Sequence, residues 1–173
     1  MVRTIDLINH VKANADAGVG ADADGCYGTQ CVDEVNDLSI TFFGKSLWGN
    51  AIDLLNSARD AGFEVVENVV GDVSSAPRAG AAFVQDTTYI AGHPYGHTGL
   101  VIEDSDGYTM RTIEQNIDGN ADSLYVGGPA RYNTRNFDGI VGWFYFPVDD
   151  QPAEVTPIAP AEPLTVNSST FNE

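Results

Sequence analysis

A thiol that attacks a carbonyl needs a base beside it, and the base needs a partner that orients it. This chain offers few candidates, with two cysteines and three histidines among 173 residues. Cys31 falls where a helix is expected to begin. There the positive end of the helix dipole and the free N–H groups of the first turn favour a thiolate. The same N–H groups can hold the oxyanion that forms when sulfur attacks a carbonyl. Cys26 lies in a polar loop with no helix start behind it, and a Cys26–Cys31 disulfide would mask the nucleophile, so two free thiols are expected.

The base is expected at His97. Segments 97–103 and 108–117 read as a hairpin around Asp104-Ser105-Asp106-Gly107. A four-residue loop pairs Glu103 with Tyr108 and sets His97 opposite Glu114. A two-residue turn at Asp106-Gly107 pairs Ser105 with Tyr108 and sets His97 opposite Asn116. Strand side chains alternate with period two, so either register leaves His97, Glu114 and Asn116 on one face. Directly opposed Cβ atoms lie about 4.5–5.5 Å apart, within reach of an imidazole–carboxylate or imidazole–amide contact. A three-residue loop would break the arrangement. Of the other histidines, His10 is expected on a helix surface, and His93 in a loop before Pro94 that would line a substrate groove.

A second chemistry sits just ahead of the thiol. With Asp22 as position 1, Asp24 is 3, Cys26 is 5, Gly28 is 7 and Asp33 is 12, the ligand rhythm of a calcium-binding EF-hand loop. The match is imperfect: Tyr27 replaces the usual glycine at position 6, Cys26 could offer only its carbonyl, and Asp33 is shorter than the usual glutamate. The carboxylates of Asp22, Asp24 and Asp33, with carbonyls of Cys26 and Gly28, form the expected calcium set. Zinc hydrolysis is disfavoured, because no His/Glu pair has the helical spacing of a zinc site.

The elements that must position these groups follow from hydrophobic period. Residues 4–17 read as a helix with Thr4 as N-cap and Ile5, Ile8 and Val11 on one side. A second helix starts at about Cys31, where Cys31, Val35, Leu38 and Phe42 share a face that would carry the thiol inward. A third spans roughly 50–61 and stops at Gly62. Extended segments follow at 63–70, 81–86, 97–103, 108–117, 130–134 and 140–146. Helices first and an antiparallel sheet afterwards define an α+β domain over 1–146. Prolines 147, 152, 157, 160 and 163 then punctuate a tail, 147–173, without amphipathic period, which reads as a linker.

The formal net charge of −17 excludes the basic surface that nucleic acid or anionic lipid requires. No apolar run is long enough to span a bilayer, and polar residues interrupt the first fifteen positions, so no signal peptide is expected. The isolated acidic domain is expected to be a monomer.

Taken together, Gly28-Thr29-Gln30-Cys31-Val32-Asp33, Gly96-His97-Thr98-Gly99-Leu100-Val101 and Glu114-Gln115-Asn116 resemble the motifs of CHAP domains, and Trp143 with its aromatic neighbours fits the last strand of that family. These are papain-like amidohydrolases and peptidases common in bacteriophage endolysins. The resemblance covers about 1–146 and implies helices packed on a twisted antiparallel sheet of about six strands. It implies Cys31 as nucleophile, His97 as general base and acid, Glu114 with Asn116 as orienting residues, and Gln30 with the Cys31 N–H as oxyanion contributors. It implies a peptidoglycan substrate cut at an amide of the stem peptide, the cross-bridge or the muramoyl–alanine link. Several relatives of this kind place a calcium loop ahead of the cysteine. They leave the host cytoplasm through a holin and carry a C-terminal wall-binding module after a linker. Two rival functions stay open: a non-catalytic, calcium-dependent wall-binding module, and a cysteine peptidase or amidase acting on another substrate.

Overall fold

The computed structural model describes residues 1–117 and 127–152; most of the proline-punctuated tail, 153–173, lies outside them. Three helices precede the sheet: α1 (Thr4–Ala17), α2 (Cys31–Phe43) and α3 (Leu54–Asp60), the last entered through a 3-10 turn at Ala51–Asp53. Glycines in the left-handed region end α1 and α2, Gly18 (φ 66°) and Gly44 (φ 66°). Thr4 is not the N-cap of α1. It is the first helical residue, Asp6 accepts the N–H of Arg3 (2.8 Å), and Asp150 accepts both the N–H and the hydroxyl of Thr4 (2.8 and 3.0 Å). The partner that frees Thr4 from capping is 146 residues away, beyond any local reading.

Six strands follow, β1 (Glu64–Glu67), β2 (Ala81–Gln85), β3 (His97–Val101), β4 (Met110–Glu114), β5 (Arg131–Arg135) and β6 (Ile140–Tyr145). They form one antiparallel sheet in the order β1-β6-β2-β3-β4-β5. N-terminal helices against a six-stranded antiparallel sheet are the α+β architecture of papain-like domains.

Both faces of the sheet are buried. Ala82, Val84, Leu100, Ile113 and Phe144 pack with Leu7, Val11, Val35 and Leu38 of the helices. Phe83, Val101, Met110, Trp143 and Tyr145 form a second cluster on the opposite side. Burial on both faces explains why β2, Ala-Ala-Phe-Val-Gln, reads as a continuous run without alternation. The β3–β4 ladder pairs Leu100 with Ile113 and Val101 with Thr112, the register expected for a two-residue turn. The connection itself is wider. Ile102 still donates its N–H to Arg111 O (2.9 Å), but Ser105 donates its N–H to Pro77 O and its hydroxyl to Thr109 O, so the residues beyond Ile102 leave the ladder. No helix among the described residues is long and apolar enough to cross a membrane.

Candidate active site

Cys31 is the first residue of α2 and remains partly exposed. Val35 and Leu38 from the same helix are fully buried, and Asp33 and Glu34 of its first turn are buried too, so in that turn only the leading residues Cys31 and Val32 keep partial exposure. The shared apolar face carries Cys31 only partly inward. Asp33 closes the turn: its side chain accepts the Gln30 N–H (2.9 Å) and its own N–H donates to Gln30 O (3.2 Å). The first N–H groups of a helix have no partner within it, which leaves donors beside the sulfur.

Gln115, fully buried, holds the approach to that turn. Its Nε2 donates to Ala21 O (3.0 Å) and Gln30 O (2.8 Å), and its Oε1 accepts the Ala21 N–H (2.7 Å). Gly20 runs so close that a Cβ there would stand 2.9 Å from Gln115 Oε1. Asn116 has left the strand conformation (φ 61°) and donates its Nδ2 to Gln30 Oε1 (2.9 Å). The Gln30 Nε2 in turn donates to Tyr27 O (2.8 Å).

His97 opens β3. The turn before it requires Gly96 (φ 77°), where a Cβ would fall 2.6 Å from Ile52 N and 2.9 Å from Gln85 O. Buried Thr87 ties the preceding loop together, donating to His93 O (2.8 Å) and accepting the Gly96 N–H (3.0 Å). His97 is 7% exposed, its ring lies against Phe83 (centroids 5.9 Å apart), and the Cys31 thiol is near enough to favour its protonated form.

Behind the ring, Glu114 is fully buried, with Oε2 3.6 Å from His97 Nε2. That separation exceeds a hydrogen bond, so the carboxylate acts on the ring by charge and position. Asn133 Nδ2 (2.7 Å) and Arg135 Nη2 (2.7 Å) donate to Oε2, and Arg135 Nε donates to Oε1 (2.5 Å). The glycine of His97-Thr98-Gly99 now has a physical reason: a Cβ there would stand 2.6 Å from Glu114 Cγ and 2.9 Å from Ile113 O. Gly99→Ala is expected to destabilise the fold by about 1–3 kcal/mol through overpacking. A thermal melt checks this, and an unchanged melting temperature would contradict the close approach.

The electrostatics follow from these contacts. Burial works against charge on His97, but the proximity and charge of Cys31 and Glu114 outweigh it and push the imidazole up to about 10. Burial likewise opposes ionisation of Glu114, yet the nearby charge of His97 and the hydrogen bonds and charge of Arg135 draw it down to about 2. Glu34, one turn beyond Cys31, is fully buried; burial, then the charge of Glu114, push it well above the usual carboxylate range, with His97 pulling the other way. The site thus combines a partly exposed cysteine, an imidazole biased to its cationic form and an ionised carboxylate behind it. Such a set performs nucleophilic attack with proton return to a leaving group.

The CHAP domain model matches residues 20–116, more than half of the chain and the stretch that carries Cys31, His97 and Glu114. The chain belongs to the CHAP domain family. It is 30% identical over 129 residues to "Endolysin LysK" of Staphylococcus phage K, a match covering 73% of this chain and 24% of that protein. It thus spans about a quarter of that relative's length. The crystal structure of a wild type endolysin, LysIME-EF1, superposes with a TM-score of 0.71 at 34% identity, covering 87% of this chain and 67% of that one. The chain is accordingly similar to bacteriophage endolysins in their CHAP portion.

In this CHAP domain the residues expected from sequence fall into two groups. Cys31, His97 and Glu114 converge, while Asn116 and Gln30 bond to each other and to the loop backbone. Asp22, Asp24 and Asp33 bring carboxylate oxygens within 4.8 Å of one another, a candidate metal cluster with Asp33 buried and the other two exposed. Burial pushes Asp33 up to about 6, against the backbone hydrogen bonds from Gln30 and Ala23, with the charges of Asp24 and Asp22 adding to the rise. The Cys26 N–H donates to Asp24 Oδ1 (2.7 Å), and Gly28 O accepts the Gln30 N–H (3.0 Å). Both cysteines are free thiols. His10 is not a plain surface residue: its Nε2 lies 2.6 Å from Asp37 Oδ2 and its ring meets Phe42, so it joins α1 to α2.

Arg135, Asn133 and Glu34 were not singled out in the sequence, and Gly99 entered there only as part of a motif, without a physical reason. Asn133 and Arg135 alternate on one face of β5, which is a signal, but aiming that face at Glu114 requires the β4–β5 pairing.

Proposed function

We propose that this CHAP domain hydrolyses an amide bond of peptidoglycan, in the stem peptide, the cross-bridge or the muramoyl–alanine link, with Cys31 as nucleophile. The observation that carries this reading is the convergence of Cys31, at the leading turn of α2, with the buried His97–Glu114 pair. The Cys31 thiolate attacks the carbonyl carbon, and first-turn N–H groups of α2 receive the developing oxyanion. As the C–N bond breaks, His97 gives its proton to the departing amine, leaving a thioester on Cys31. His97 then takes a proton from water, whose oxygen displaces the sulfur and releases the carboxylate product. Glu114 holds the imidazole and compensates its charge throughout. Asn116, through Gln30, fixes the loop that presents the sulfur.

Digestion of purified sacculi tests the reading. The expected result is release of new amino groups without new reducing ends, lost in Cys31→Ala; muropeptide mass spectrometry then names the bond. Reducing ends, or clearing that survives Cys31→Ala, would defeat it. Activity on small amides with none on sacculi would point to a non-wall substrate.

The Asp22, Asp24 and Asp33 carboxylates, with the Cys26 and Gly28 carbonyls, are proposed to hold calcium. The all-oxygen donor set suits a hard cation. Tyr27 supports the fit: it adopts the left-handed conformation (φ 63°) at the position where such loops carry glycine. Bound there, the ion would supply structural charge that fixes the loop leading into α2. Calcium at about a hundred times its dissociation constant is expected to stabilise stripped protein by about 2.7 kcal/mol. For a chain of this size that is on the order of 5–10 °C in melting temperature. Scanning calorimetry with and without EDTA checks it, and identical melts would remove calcium from the account.

A further inference from the structure

Glu114 is held less by His97 than by Arg135, whose guanidinium has no role in the chemistry described above. The fork spans both carboxylate oxygens, through Nε to Oε1 (2.5 Å) and Nη2 to Oε2 (2.7 Å), and its third nitrogen, Nη1, donates to Gln85 Oε1 (3.1 Å). Gln85 is itself anchored, donating Nε2 to Asp138 O (2.8 Å), and it is the β2 residue paired directly with His97. The guanidinium also lies over the Phe83 ring, 5.1 Å from its centroid, while the His97 ring packs on that same phenyl group. Arg135 therefore touches Glu114 and Phe83, which flank the imidazole, and Gln85, the residue paired with His97 across the β2–β3 ladder.

A bidentate guanidinium fixes the plane of a carboxylate as well as its charge, which a lysine ammonium cannot do. With both oxygens pinned, and Asn133 adding a second donor to Oε2, Glu114 can present only one edge to His97. We propose that Arg135 is a positioning residue of the active site, acting through Glu114, Gln85 and Phe83 to set the orientation of His97 toward Cys31. This rests on the hydrolytic reading above for its kinetic consequence, but the geometry it describes is independent of the substrate.

The experiment compares Arg135→Lys and Arg135→Gln with the otherwise unchanged chain, on soluble cross-linked peptidoglycan fragments. A second readout, alkylation of Cys31 by iodoacetamide in a Cys26→Ala background, needs no substrate. For folded Arg135→Gln, kcat is expected to fall about 10²-fold with KM within about twofold, since misplacing catalytic groups by an ångström costs that much without loosening binding. Arg135→Lys keeps the charge but loses the fork, so it recovers only part of kcat. Alkylation of Cys31 slows in the same order. Should Arg135→Gln fail to fold, Arg135→Lys decides alone. Wild-type kcat and wild-type alkylation in folded Arg135→Lys, with only the melting temperature lowered, would make Arg135 a purely structural ion-pair partner and overturn the proposal. A parent chain inert on peptidoglycan would defeat the hydrolytic reading and leave the alkylation comparison to judge Arg135.

Discussion

Cys31→Ala is expected to lower amide hydrolysis by at least about 10⁴-fold, because a covalent mechanism has no second route once its nucleophile is gone. The substitution should leave the fold intact. Cys31 is partly exposed at the start of α2, alanine is a good helix former, and substitutions outside the core change stability by about 0.5 kcal/mol or less. Cys26→Ala provides the matched control: that thiol is exposed in the loop, and its removal should change the rate by less than about twofold. Rates on sacculi for the two variants, each checked by circular dichroism, decide the matter. Equal losses in both would mean that the loop matters and the Cys31 sulfur does not.

Glu114→Gln should produce the largest combined loss of activity and stability. It removes charge from a fully buried carboxylate that receives both prongs of Arg135, leaving the guanidinium unpaired. Breaking a buried pair in this way costs about 3–5 kcal/mol. The sign of the pH dependence follows from the two shifts. Glu114 is drawn from its ordinary 4.5 to about 2, so its contribution is present above 4.5 and is lost as pH falls toward 2. His97 is pushed from 6.5 to about 10, so its contribution is full below 6.5 and is lost as pH rises toward 10. The difference in melting temperature between wild type and Glu114→Gln should therefore be greatest between those two ordinary values. It should shrink in acid. Activity should fall by about 10²-fold or more, the scale of a misoriented general acid and base. The basic limb of its pH profile should move down toward the ordinary histidine value, because Glu114 is one of the two groups holding the proton on the ring. A stable Glu114→Gln protein with an unmoved limb would show that the carboxylate neither supports nor charges His97.

Much of this arrangement was legible in the sequence because it is local. Periodicity placed both ends of α1, the start of α2 and five of the six strands within their expected segments, because apolar spacing reports burial directly; β5 runs one residue further, to Arg135. Period-two alternation put Glu114 on the His97 face whichever turn was chosen, and the observed β3–β4 pairing is one of the two expected. What alternation could not foresee is that strand geometry stops at Asn116, whose positive φ turns its amide to Gln30. Contacts between distant segments were hidden for the same reason. The clamp of Arg135 on Glu114 depends on the pairing of β4 with β5 and on side chains long enough to reach along the strands. Gly99 stands in the sequence as a motif residue without a stated reason until Glu114 is seen crossing over it. Asp150 on Thr4 and His10 on Asp37 likewise join segments that no local pattern connects.

The account stands on the coupling of the Cys31 sulfur to the His97 ring, and a nitrogen-15 NMR titration of that ring in the resting protein measures it without any substrate. The predicted result is an imidazole that stays protonated through neutral pH and releases its proton near 10, with the midpoint lowered in Cys31→Ala. A ring that titrates near 6.5 in the wild type, and does so unchanged in Cys31→Ala, would contradict it.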